Sequence, residues 1–290
     1  MSDQTMTLSD GRALAYQTLG DPAGDPLFFF HGTPGSRLGF SQEDRIAQMP
    51  GICLVLPDRP GYGLSDPHPG RTLLDWAEDV RELADHLGYT SFLVGGESGG
   101  GPHALACAYR LADRVTKAVI LSSPCPANLP GATSGAKLGS RLGLWLDRVA
   151  PGLAKRLVES YAASFKRNPD GFINMLSRRM AEPDRAMLAD GAVRAAIKRD
   201  LAEAYRQGGQ ANAQDGRLAM ANHDWGFSLR EIPVPVFSWH GREDTLVSVH
   251  MAAHLALEIP CCRARIVDGL GHLLAARPSI VEQIETALRS

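Results

Sequence analysis

Short unbroken apolar runs alternate with stretches of helical periodicity at both ends of the chain. Residues 27–30, 52–56, 92–94, 118–121, 234–239 and 264–267 read as strands, and a continuous apolar run such as 27–30 or 52–56 is what a strand buried on both faces requires. Between them lie amphipathic segments. The clearest begins at Thr72 or the residue before it, carries Leu73, Trp76, Val80, Leu83, Ala84 and Leu87 on one face and stops at Gly88, a glycine that can take the left-handed conformation ending a helix. Further helices are predicted over about 38–48, from the glycines at 99–101 to about 110, over 249–258 and from Pro278 onward. Residues 4–19 read as a hairpin turning at Ser9-Asp10-Gly11-Arg12. Strand and helix in alternation specify a mostly parallel, doubly wound α/β sheet.

The pattern changes between about 125 and 225, where no strand-like run appears. Leu138, Leu142, Trp145 and Val149 form one helical stripe, Leu153, Leu157, Tyr161 and Phe165 a second, and Val193, Ile197, Leu201 and Tyr205 a third. Pro151, Pro169 and Pro183 fall where first helical turns begin. The expected organisation is a core domain over 1–124 and 225–290 with an all-helical lid, or cap, inserted over 125–224. Because the insertion follows a strand, its expected seat is above the C-terminal strand ends, where open α/β sheets bind ligands.

Composition narrows the function classes. The 290 residues carry a net charge of −2, which gives no general attraction to nucleic acid or an anionic membrane. The uncharged run between Lys117 and Lys137 is broken by Pro124, Pro126 and Pro130, so no spanning helix is expected. The first residues have neither a basic start nor an apolar stretch, and Cys53 and Cys107 sit in apolar runs that suit reduced, packed thiols; a cytoplasmic location is the expectation. Residues 125–225 hold 15 Lys and Arg against 10 Asp and Glu, so this segment carries about +5 and the remainder −7. The excess is read first as solvated helix faces, with a preference for anionic substrates as the alternative.

The chemistry centres on Gly96-Glu97-Ser98-Gly99-Gly100, at the junction of the strand at 92–94 with an alanine-rich helix. This fits G-x-S-x-G, a turn that presents serine above a sheet because the flanking glycines leave room for neighbouring elements. No Gly-Lys-Ser/Thr follows, and the glycines do not fall at G-x-G-x-x-G spacing, so phosphate-loop and dinucleotide readings fail. A serine hydroxyl needs a neutral imidazole to take its proton, and the imidazole needs an acceptor on its other nitrogen. Asp244 and His272 each follow a predicted strand, and the order Ser98, Asp244, His272 is that of α/β-hydrolase triads. His250 and His254 stand one helical turn apart, but the glutamate of H-E-x-x-H is replaced by Met251 and no third ligand accompanies them, so no metal and no cofactor is expected.

With His31-Gly32-Thr33-Pro34-Gly35, Asp58-Arg59-Pro60-Gly61-Tyr62-Gly63-Leu64-Ser65, the serine turn, Gly241-Arg242-Glu243-Asp244 and Gly271-His272, the chain resembles the α/β-hydrolase superfamily over nearly its whole length. The resemblance implies an oxyanion hole from the backbone N–H groups of Thr33 and Gly99. It departs from proline iminopeptidases, which usually carry His-Gly-Gly-Pro-Gly and a tryptophan after the nucleophile where this chain has Thr33 and Gly99. Ser98 likewise sets it apart from the dehalogenases and epoxide hydrolases of this fold, which use an aspartate. The expected function is a serine esterase acting on a small-molecule substrate through an acyl-enzyme. The alternative is a receptor-like protein that binds a small molecule with little turnover. Trp145, Phe165, Phe172 and Met175 are the candidate acyl-pocket residues; oligomeric state and natural substrate are left open by the sequence.

Overall fold

The computed structural model describes residues 3–129, 134, 142, 143, 145, 146, 149–221 and 224–290. Within them, β1 (Gln4–Thr7), β2 (Ala13–Gly20), β3 (Asp25–Phe30), β4 (Ile52–Pro57), β5 (Phe92–Glu97), β6 (Val115–Leu121), β7 (Val236–Gly241) and β8 (Cys262–Val267) make one sheet in the order β1-β2-β4-β3-β5-β6-β7-β8. The first two strands form the hairpin, β2 runs antiparallel to β4, and all later pairings are parallel. Parallel neighbours need crossovers. These include α1 (Leu73–His86) before β5, α2 (Gly100–Arg110) before β6 and, beyond β7, α8 (Val249–Glu258), while α9 (Pro278–Arg289) closes the chain.

Side chains of a strand alternate between faces, and β3 shows the consequence. Phe28 and Phe30 join Trp76 of α1 and Leu105 of α2 in one core, whereas Leu27 and Phe29 join Ile280 and Ile284 of α9 in the other. Two cores flank one sheet. Thr72 caps α1, its hydroxyl accepting from Asp75 N while the Asp75 carboxylate accepts from Thr72 N. One expected helix is missing. Residues 38–48 form a short 3₁₀ turn, Arg37–Gly39, followed by consecutive turns. There the Asp44 carboxylate accepts from both the N–H and the hydroxyl of Ser41, a local bond that competes with helical hydrogen bonding.

Between β6 and β7 the described residues contain no strand. They include α3 (Pro151–Arg167), α4 (Pro169–Ser177), α5 (Glu182–Ala189), α6 (Gly191–Ala204) and α7 (Gln210–Gly216), with Pro151 and Pro169 at first positions and Pro183 at a second. Leu138 lies outside the described residues. The rest of its stripe stays exposed, Leu142, Trp145 and Val149 included, as do Leu153 and Leu157 at the start of α3. Ala154 is buried in the first half of α3, and the C-terminal half packs Phe165 against Phe172, Leu201 and Tyr205.

Ser98 sits at φ +50° between β5 and α2, and the turn is packed backbone to backbone. A Cβ at Gly96 would stand 2.4 Å from the Gly100 carbonyl oxygen, and one at Gly100 would stand 2.2 Å from that of Phe30. These oxygens belong to the main chain and have no rotamer with which to move aside. Gly100→Ala is therefore expected to cost about 1–3 kcal/mol or more in urea unfolding. Gly191→Ala, at the first turn of α6 with nothing within 4 Å, is expected to stay within about 1 kcal/mol of wild type.

Candidate active site

The elements that place Ser98, Asp244 and His272 all end on one edge of the sheet. Ser98 follows β5, Asp244 follows β7, and His272 follows β8 after the turn at Asp268-Gly269. The Ser98 N–H donates to the Leu121 carbonyl at 2.8 Å, which ties the turn to the end of β6. Ser98 and His272 line the same cavity of about 310 Å³.

Asp244 is buried while its neighbour Glu243 is exposed. One Asp244 oxygen accepts from the N–H groups of Leu246 and Val247, at 2.8 and 3.0 Å, and the other lies 2.7 Å from His272 Nδ1. Burial opposes the charge of Asp244, but the His272 imidazole, with His240 and these backbone donors, outweighs it and lowers the carboxyl pKa. An ionised Asp244 accepts from Nδ1–H and so leaves Nε2 of a neutral His272 as the proton acceptor. Burial also disfavours the imidazolium form of His272, yet Asp244 and the negative groups Glu97 and Asp184 prevail and raise its pKa above the ordinary value.

Thr33 and Gly99 approach each other closely: a Cβ at Gly99 would stand 2.2 Å from Thr33 Oγ1 and 3.4 Å from Thr33 N. Among the described residues neither of their N–H groups donates to a protein acceptor. Gly99 immediately precedes α2, where the helix dipole favours negative charge. The loop bearing Thr33 is held by a residue whose role the sequence left unassigned. Arg59 donates to the carbonyls of His31 and Gly32 and to Thr33 Oγ1, and its Nε donates to Asp215 at 2.7 Å. Asp215 is fully buried, pairs also with Arg71, and lies 3.7 Å from His103 Nε2. Burial and the nearby Arg59 guanidinium push His103 down to about 3, so it is neutral and donates from Nδ1 to the Gly99 carbonyl at 2.8 Å. His31 is likewise neutral: burial and Arg59 lower its pKa, Nδ1 donates to the Gly32 carbonyl, and Nε2 accepts from Arg59 N.

The cavity wall differs from the one expected. Trp145 is exposed, Phe165 and Phe172 are buried inside the helical segment, and Met175 packs against them; none of the four lines the cavity. Ile173 and Leu176 of α4 do so instead, with Val193, Ile197 and Leu201 of α6. Both α4 faces are apolar, and the face bearing Phe172 is claimed by an aromatic cluster with Phe165 and Tyr205. Asp44, Glu97 and Asp200 also line the cavity, and no Lys or Arg side chain does among the described residues. Burial pushes the Asp200 carboxyl up to about 7 even though it accepts from Ser36 N and Oγ, both at 2.7 Å. Neither Asp200 nor Asp215 stands in a motif, so only its partner's position reveals it.

A family model described as the alpha/beta hydrolase fold matches residues 25–275. The chain is 26% identical to a non-heme chloroperoxidase of Streptomyces lividans, over 96% of each protein. It is also 26% identical to a bifunctional esterase/perhydrolase of Acinetobacter calcoaceticus, over 88% of this chain and 87% of the other. Among solved structures, a thermophilic esterase from Thermogutta terrifontis superposes with a TM-score of 0.71 at 21% identity, covering 100% of this chain and 98% of that one. With that match spanning most of its length and a mostly parallel sheet beneath a Gly-flanked serine turn, the chain belongs to the α/β-hydrolase fold family.

Proposed function

We propose that the protein is a serine hydrolase that cleaves small, neutral carboxylic esters through an acyl-enzyme. The observation that carries this reading is the 2.7 Å contact of His272 Nδ1 with a buried Asp244, at a cavity that Ser98 also lines. The relatives named esterase/perhydrolase and chloroperoxidase support a hydrolase or esterase type. Ser98 Oγ attacks the ester carbonyl carbon as His272 Nε2 takes its proton, and the oxygen that becomes negative is received by the unpaired N–H groups of Thr33 and Gly99. Collapse expels the alcohol, which takes the proton from His272. Water, deprotonated by the same imidazole, then releases the acid and restores Ser98.

In this reading residues 125–224 act as the lid over the core of 1–124 and 225–290, since Ile173, Leu176 and Ile197 from that segment wall the cavity. At about 310 Å³ the space is at the low end for ligand sites, which suits short acyl groups. Among the described residues the cavity offers an anionic substrate the acidic side chains Asp44, Glu97 and Asp200 and no Lys or Arg as a counter-charge, which favours a neutral ester.

The direct test is a fluorophosphonate probe together with short-chain p-nitrophenyl esters. Wild type is expected to be labelled at Ser98 and to turn the esters over, and Ser98→Ala to stay folded while losing on the order of 10⁴ to 10⁶ in kcat. A folded, unlabelled wild type without turnover would mark a binding protein instead. Asp244→Asn offers an N–H where His272 needs an acceptor and is expected to cost up to about 10⁴ in rate. Glu243→Gln, at an exposed side chain, is expected to lose less than about tenfold.

The pH dependence follows from the charge state of His272. Because the imidazole acts as a base only when neutral and its pKa is raised, kcat/KM should fall as pH drops, with a midpoint above the ordinary imidazole value of about 6.5. A pH–rate profile of wild type measures it directly; an acid limb below that value assigns the titration to another group.

A further inference from the structure

We propose that Asp184, a residue of the helical segment, is a positioning residue for the base: its carboxylate holds the main chain of His272 and Leu273 so that the imidazole meets Ser98. The proposal rests on the function proposed above. Asp184 lies in the first turn of α5, is 1% exposed, and uses both oxygens on successive N–H groups, Oδ2 on His272 at 2.8 Å and Oδ1 on Leu273 at 3.1 Å. A carboxylate engaged by two adjacent backbone donors fixes the plane of the peptide between them, and the direction in which the histidine Cβ leaves the chain is fixed with it.

The approach is possible only because residue 271 is glycine. A Cβ there would stand 2.1 Å from Asp184 Oδ2. The Gly-His pair after β8 thus has a physical reason: the glycine is the gap through which the carboxylate reaches the histidine N–H. The contact is also braced on both sides. Thr245 Oγ1, next to Asp244, donates to the Arg179 carbonyl at 2.7 Å, and Arg277 donates to the Pro183 carbonyl at 2.8 Å. The stretch from Arg179 to Asp184 therefore touches the loops of both the acid and the base, which lie 28 residues apart.

An ordinary structural bond would affect only stability, so the test reads the imidazole itself. The charged and titratable groups around His272 are Asp244 and His240 from the end of β7, Glu97 from the end of β5 and Asp184 from α5. Asp184 and Glu97 both favour the imidazolium form. Removing the Asp184 charge should move the acid limb of kcat/KM to lower pH, while misdirection of the ring lowers kcat at every pH.

Wild type, Asp184→Asn, Asp184→Ala and Gly271→Ala are to be compared for p-nitrophenyl acetate turnover, fluorophosphonate labelling of Ser98 and thermal unfolding. Asn keeps one acceptor oxygen and is expected to lose about tenfold in kcat; Ala keeps none and is expected to lose on the order of 10². KM should stay within about twofold, and both variants should shift the acid limb downward. Gly271→Ala, which displaces the carboxylate but leaves its charge, should lower kcat without that full shift. If Asp184→Ala does not fold, the near-isosteric Asn variant decides. A folded Asn variant with the kcat and acid limb of wild type overturns the role, as does a loss confined to KM. A wild type that neither labels nor turns over ester overturns the proposed function and this role with it, so the two failures are distinguishable.

Discussion

One buried guanidinium links the parts of this molecule that must stay in register. Arg59 leaves the loop after β4, reaches the carbonyls of His31 and Gly32 and the hydroxyl of Thr33, and is balanced by Asp215, which is 156 residues away in sequence. Removing one partner of such a pair strands a charge where water cannot reach it, a loss of about 3–5 kcal/mol. The pair is therefore weak as a source of stability but strong as a constraint. It fixes the loop that carries the Thr33 N–H and the helix that carries Asp215 in one relation.

The same device recurs around the sheet edge. Asp200 accepts from Ser36, Glu203 accepts from Arg37, and Asp184 accepts from the N–H groups of His272 and Leu273. Each acceptor comes from the helical segment, and each donor belongs to a loop of the sheet. With Asp215, four of the segment's carboxylates are spent on such contacts, while most of its described arginines are exposed. Satisfying the donors with buried carboxylates, instead of apolar packing alone, makes the seat of the helices directional, because hydrogen bonds restrict angle as well as distance.

The serine turn works by the opposite principle, the absence of side chains. The glycines flanking Ser98 let main chains approach to distances that no Cβ permits, which places the Gly99 N–H beside Thr33. Polar clamps then hold what the glycines have admitted, as at Gly271, where the missing Cβ is filled by the Asp184 carboxylate.

Sequence alone determined the strands, most of the crossover helices, the hairpin, the serine turn and the placing of Asp244 and His272 after strands, because each is written in neighbouring residues: apolar runs, Pro at first turns, glycines around Ser98. It failed at 38–48, where apolar and polar spacing suggested a helix and a local Ser41–Asp44 bond prevailed. It failed again at the acyl pocket, since α4 is apolar on both faces and periodicity cannot say that Phe172 and Met175 turn to the aromatic cluster while Ile173 and Leu176 turn to the cavity. Tertiary structure alone decided that choice, and it alone brought Asp184, Asp200 and Asp215 to their partners. A lone aspartate on an amphipathic helix has the same local pattern whether it meets water or a backbone N–H 88 residues away, and only the packing of the helices on the sheet separates the two.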